Sequence, residues 1–133
     1  MAENDVGQLA SELHSALTEF HRALIRAEAG DDPDLQNPYT LLFAVINDPR
    51  FSWLGPLSQL IVRMDEVKAE GGLSTVESLV PFGEAAAQFL GEGADGHAEF
   101  RLRYLIAVQR DPQVGLAAGA LRRAVSKLPS AKR

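Results

Sequence analysis

The sequence predicts an all-α protein, an up-down helical bundle of four long arms, two or three of them kinked or broken at prolines. Three observations carry this. Apolar residues recur at spacings of three and four in several separate stretches, which places them on one face of a helix. The pairs Asn37-Pro38, Asp48-Pro49 and Asp111-Pro112 each join a side chain that caps helices to a residue pre-shaped for a first helical turn. No partner strand is evident for the one run, Leu41 to Ile46, that periodicity leaves open between helix and buried strand.

The first arm spans residues 4–30. Val6, Leu9, Leu13, Ala16, Leu17, Phe20, Leu24 and Ala27 share its apolar face, Glu12, Glu19, Arg22 and Arg26 lie opposite, and Gly30 is the stop. A loop, DDPDLQNP, follows. The second arm spans 38–70. It breaks at Asp48-Pro49, turns through Phe51 and Trp53, and resumes at Pro56 with the stripe Leu57, Leu60, Ile61, Met64 and Val67. Gly71-Gly72 ends it. The third arm, 74–91, opens on Ser74 with Glu77 three residues on, a capping box. Pro81 and Gly83 then kink it or delay its true start to Pro81. Ala85, Ala86, Phe89 and Leu90 are its core face. Gly91 to Gly96 is a turn, and the fourth arm, 97–128, breaks at Asp111-Pro112. One domain, 1–133, is expected, with 130–133 as a frayed tail.

Composition removes several functions. The chain has no cysteine, hence no disulfide, thiolate metal site or cysteine nucleophile. The acidic N-terminus lacks the basic and apolar regions of a signal peptide, and six consecutive apolar residues cannot cross a bilayer. A cytoplasmic protein is expected. The net charge of −5 is unevenly spread. Residues 1–100 carry 5 Lys/Arg against 17 Asp/Glu, and residues 101–133 carry 8 against one. The basic C-terminal part is therefore expected to lie on the acidic body, its own or a second copy's. A nucleic-acid reading through Arg122, Arg123, Lys127, Lys132 and Arg133 is weaker: the acidic body repels phosphate, and that tail has no aromatic for base stacking.

Chemistry-bearing patterns are sparse. His14, His21 and Glu28 form a stripe seven residues apart on the first helix, about 10.5 Å per step. That is too far for two of them to share a metal, and neither HxxxH nor ExxH occurs, so no metal is expected. GxSxG and Walker sequences are absent, and Gly91-x-Gly93-x-x-Gly96 follows a helix rather than a strand, so no cofactor is expected either. Asp65-Glu66 has Arg63 and Lys68 nearby to balance it. Arg50, Phe51 and Trp53 sit at a helix break, either as a partner anchor or as a plug at the end of the core. Gly115 and Gly119 allow close helix approach. In the helix over 97–110, Phe100, Tyr104, Ala107 and Val108 share a face, but Leu102, Leu105 and Ile106 lie elsewhere around it. Such a helix is central to the bundle or shared with a second subunit.

The run NDPRFSWLGPLSQLIVRMDE resembles a segment of uncharacterised bacterial all-helical proteins, in which a Leu-rich first helix precedes a DPRFxWLxPLSxLIV-like stretch. The likeness covers Asp48 to Glu66 and, loosely, the first helix. It implies a bacterial cytosolic helical domain and brings no activity or catalytic residue. Two functions from different classes remain. One is a non-enzymatic interaction module that forms a homodimer or binds another protein, with Arg50, Phe51, Trp53, Leu102 and Ile106 as candidate interface. The other is a small-ligand binder or enzyme with a pocket between helices, lined by His21, Tyr39, Phe43, Trp53 and Tyr104. A closed core favours the first; a cavity with convergent polar groups favours the second.

Overall fold

The chain is all-helical. A computed structural model describes residues 3–91 and 97–129, and among these residues there is no strand. Six α-helices follow one another: α1 (Glu3–Ala29), α2 (Pro38–Asn47), α3 (Gly55–Ala69), α4 (Val76–Phe89), α5 (Ala98–Arg110) and α6 (Pro112–Ser126). Short 3-10 turns at Pro33–Leu35 and Pro49–Leu54 flank α2. Six helices thus replace four arms, because the second and fourth arms divide at Asp48-Pro49 and Asp111-Pro112. Most of the glycine-rich turn, residues 92–96, and the expected frayed tail, residues 130–133, lie outside the described residues.

The three cap-and-proline pairs all start helical segments. Asn37 Oδ1 accepts from the N–H groups of Tyr39 and Thr40 at 2.8 and 3.3 Å. Asp48 Oδ1 accepts from Arg50 N, and Asp111 Oδ1 from Gln113 N, both at 2.9 Å. Leu41 to Ile46 is helical. At the other ends, Gly30 (φ +55°) and Gly71 (φ +77°) take the left-handed conformation that stops α1 and α3.

The start of α4 differs from expectation by one residue. Its capping box is Thr75 with Ser78, not Ser74 with Glu77: Thr75 Oγ1 accepts from Ser78 N at 3.1 Å, and Ser78 Oγ accepts from Thr75 N at 3.4 Å. The helix therefore begins at Val76 and runs through Pro81, which is exposed. Leu79, Phe82, Ala86 and Phe89 form its buried stripe.

Helix α1 is the central element. It touches α3, α4, α5, α6 and the 49–54 turn, and Leu13, Leu17, Phe20 and Leu24 are completely buried. The α5 helix is not central. Phe100, Tyr104 and Ala107 are buried, whereas Leu102, Leu105 and Ile106 stay exposed. Phe100 joins an aromatic group, its ring 4.8 Å from Phe89, 5.2 Å from Trp53 and 6.2 Å from Phe20. Tyr104 meets Phe20 edge-on at 5.5 Å.

The most extensive helix pairing is α6 on α1. Lys127 Nζ lies 2.9 Å from Glu12 Oε1, so the basic arm rests on the acidic body of its own chain. Val114, Ala118, Leu121 and Ala124 are the buried face. The glycines do not make this contact: a Cβ at Gly115 would meet nothing within 4 Å, and one at Gly119 would meet only the Arg123 side chain.

The shifted cap has a direct check. Thr75→Ala is expected to destabilise the protein by about 1 kcal/mol through loss of the acceptor for Ser78 N, while Ser74→Ala stays within about 0.5 kcal/mol of wild type. Urea unfolding followed by far-UV circular dichroism measures both.

Candidate functional site

The histidine stripe of α1 forms a polar seam with α3. His14 Nε2 lies 2.7 Å from Asp65 Oδ1, and His21 Nε2 lies 2.7 Å from Ser58 Oγ. Moving seven residues up α1 moves the partner seven residues down α3, so the two helices run in opposite directions with matched steps. The next step reaches Glu28, which faces the 49–54 turn. Asp65 therefore has His14 as its partner, not Arg63 or Lys68. Among the described residues, no three His, Asp or Glu side chains group as a metal would require.

Glu28 is the most heavily engaged side chain of the seam. Its Oε1 accepts from Trp53 Nε1 at 3.0 Å. Its Oε2 lies 3.3 Å from Arg50 Nε and 3.8 Å from Arg110 Nη1. Arg50 also pairs with Asp32 at 3.2 Å, donates to the carbonyls of Glu28 and Ala29, and lies over the Phe51 ring. Helix ends leave their last carbonyls without internal partners. Arg50 supplies donors to two of those at the end of α1.

This arrangement corrects part of the expected interface. Phe51 and Trp53 are 1% and 7% exposed, so they plug the core and present nothing to a partner. Arg50 is committed to its own chain. Leu102 and Ile106 do reach the surface, at 61% and 43% exposure.

The expected pocket does not form. Trp53 and Tyr104 pack in the core, Tyr39 and Phe43 point outward, and His21 borders a different depression. The cavity beside Trp53 holds about 80 Å³, far below the few hundred Å³ that small-molecule sites usually provide. His21 instead borders an open trough of about 440 Å³ between α1 and α2, with Ile25, Leu41, Leu42 and Val45 as apolar lining and Arg22 and Arg26 beside them.

The α2 helix lies at the surface although Leu41 to Ile46 is continuously apolar: it contains no buried residue. Tyr39, Leu42, Phe43 and Ile46 are 81%, 58%, 72% and 70% exposed. Their spacing is i, i+3, i+4, i+7, a single stripe along the outer face. The inner face, Leu41, Ala44 and Val45, packs partly against the core. On α5, Leu102, Leu105 and Ile106 repeat the first three positions of the same pattern. Regular helical spacing in two exposed stretches was the available signal.

The basic residues offered for nucleic acid divide. Lys127 is paired with Glu12, Arg122 Nη2 donates to the Tyr104 hydroxyl at 3.5 Å, and Lys132 and Arg133 lie outside the described residues. No described helix is long and apolar enough to cross a membrane. Comparison with protein-family models, curated proteins and solved structures returns no match.

Two outcomes test the seam. Glu28→Ala leaves the Trp53 N–H and Arg50 without their carboxylate and is expected to destabilise the fold by about 2–3 kcal/mol. Trp53 is the chain's only tryptophan, so its fluorescence reports the change directly. The second concerns pH. Burial holds the His21 pKa below the ordinary histidine value. Its contribution is complete above the unfolded value of about 6.5 and is lost as pH falls through that value toward the lower folded one, because the unfolded chain takes up the proton first. Stability measured by urea unfolding between pH 7.5 and 5 should fall less in His21→Gln than in wild type.

Proposed function

We propose that this protein is a non-enzymatic helical interaction module of the bacterial cytosol that associates with itself. One observation carries the reading: α2 leaves a regular apolar stripe uncovered on its outer face. Monomeric proteins scatter single apolar residues over their surface but rarely leave a large contiguous group. A stripe at helical spacing is the form that helix-to-helix recognition uses. The shorter α5 stripe supports the same reading, since Leu102 and Ile106 belong to a helix whose opposite face is already packed.

A second reading rests on the trough between α1 and α2. Its apolar lining, with Arg26 beside it and Arg22 paired with Glu19, suits a small amphiphile carrying one anionic group. The trough is open rather than enclosing, so helix recognition is favoured over a ligand site.

Sedimentation equilibrium at micromolar concentration is the test. Self-association gives a mass approaching two chains that falls on dilution. A single-chain mass across the whole range would rule the reading out.

A further inference from the structure

Two exposed apolar stripes compete as the self-association surface, and their charge distinguishes them. The α5 stripe is flanked by Arg101, Arg103 and Arg110, with Glu99 as the only acid on the helix. A two-fold interface buries the same patch from both copies. Pairing α5 with itself therefore brings an excess of arginine toward arginine, since Glu99 faces Arg103 and Glu28 faces Arg110 but Arg101 adds a further positive charge from each copy. The α2 helix has no such conflict. The longest stretch of the chain without a charged residue is the thirteen residues from Leu35 to Asn47, and it contains all of α2.

Charge neutrality matters here because each chain carries a net charge of −5. Two like-charged copies approach most easily through a face that contributes no charge of its own. The size of the stripe is also suitable. Tyr and Phe bury roughly 150–250 Å² each when covered, so the four side chains at their observed exposures present on the order of 400–500 Å². Contributed by both copies, this falls at the low end of specific interfaces, below about 1,200 Å², where association is reversible.

We infer that α2 is the self-association surface, with Tyr39, Leu42, Phe43 and Ile46 of one copy packed antiparallel against the same four residues of a second copy. The inference rests on the self-association proposed above and gives it a location. The stripe's midpoint falls between Leu42 and Phe43, so the two-fold axis passes there and those side chains meet their own copies. Asn37 and Asp48 cap the segments at the two ends of α2, so the helix presents this face already formed.

Substitution and cross-linking test this together. Phe43 is 72% exposed, so Phe43→Glu leaves the fold intact, as circular dichroism will verify. In sedimentation equilibrium, Phe43→Glu should reduce the mass to one chain while Ile106→Glu retains the dimer. The chain has no cysteine, so Phe43→Cys introduces a single thiol next to the proposed axis. Mild oxidation should join most of that variant into covalent dimers, and Leu102→Cys should remain largely uncrosslinked. If the wild type is a dimer that survives Phe43→Glu but dissociates with Ile106→Glu, the surface is α5; the inference fails and self-association stands. A wild type that is monomeric throughout overturns both.

Discussion

The carboxylate of Glu28 is the point on which the arrangement of the N-terminal half depends. One oxygen accepts the indole N–H of Trp53, and the other faces Arg50 and Arg110. A buried indole needs an acceptor for its N–H, and the end of a helix needs donors for its last carbonyls. Glu28 and Arg50 meet both requirements at the same place. The 49–54 turn is thereby fixed against the C-terminal end of α1, with Phe51 and Trp53 inserted in the core. Because α2 enters this turn and α3 leaves it, the positions of both helices follow from this one junction.

That junction also explains why a helix as apolar as α2 remains at the surface. Its neighbours are the two 3-10 turns that flank it. The buried face of α1 is occupied along its length by α3, α4, α5 and α6, so α2 can cover only an edge. Leu41, Ala44 and Val45 take that edge. Tyr39, Leu42, Phe43 and Ile46 are left out, each forgoing part of the roughly 1.5–3 kcal/mol that full burial of a large apolar side chain provides. Nothing within the described part of the chain is left to cover them.

Much of the fold is legible in the sequence, and the unread part has a common cause. The caps at Asn37, Asp48 and Asp111 act through neighbouring backbone, so local residues suffice to identify them. The α1 stripe from Val6 to Ala27 is equally local. The meaning of His14 and His21 is not, because it needs the register of α3 against α1. Their seven-residue spacing was visible, but Asp65 and Ser58 become partners only once the two helices are set in opposite directions. The same holds for α2 and α5. Periodicity shows that apolar residues surround these helices, yet which side meets the core depends on how much of α1 the other helices have taken. The capping box differs for a smaller reason: Ser74 and Thr75 are adjacent capping residues, and both Glu77 and Ser78 lie three residues on from one of them.

Charge divides the molecule into surfaces with different roles. The acid-rich first hundred residues and the basic last thirty-three are brought together within the chain, where α6 lies on α1 and Lys127 meets Glu12. This contact is exposed, and an exposed ion pair contributes little by itself. Its value lies in orienting α6, while Val114, Ala118 and Leu121 supply the buried area. What the internal pairing leaves is a net negative protein whose charges repel a second copy beyond contact distance, weakened over about 8 Å at physiological ionic strength. Against that background α2 is an exposed apolar helix that adds no charge of its own to the surface. The same neutrality that makes α2 unable to orient itself by ion pairs leaves its side-chain shape and its capped, fixed ends to set the geometry of any pairing.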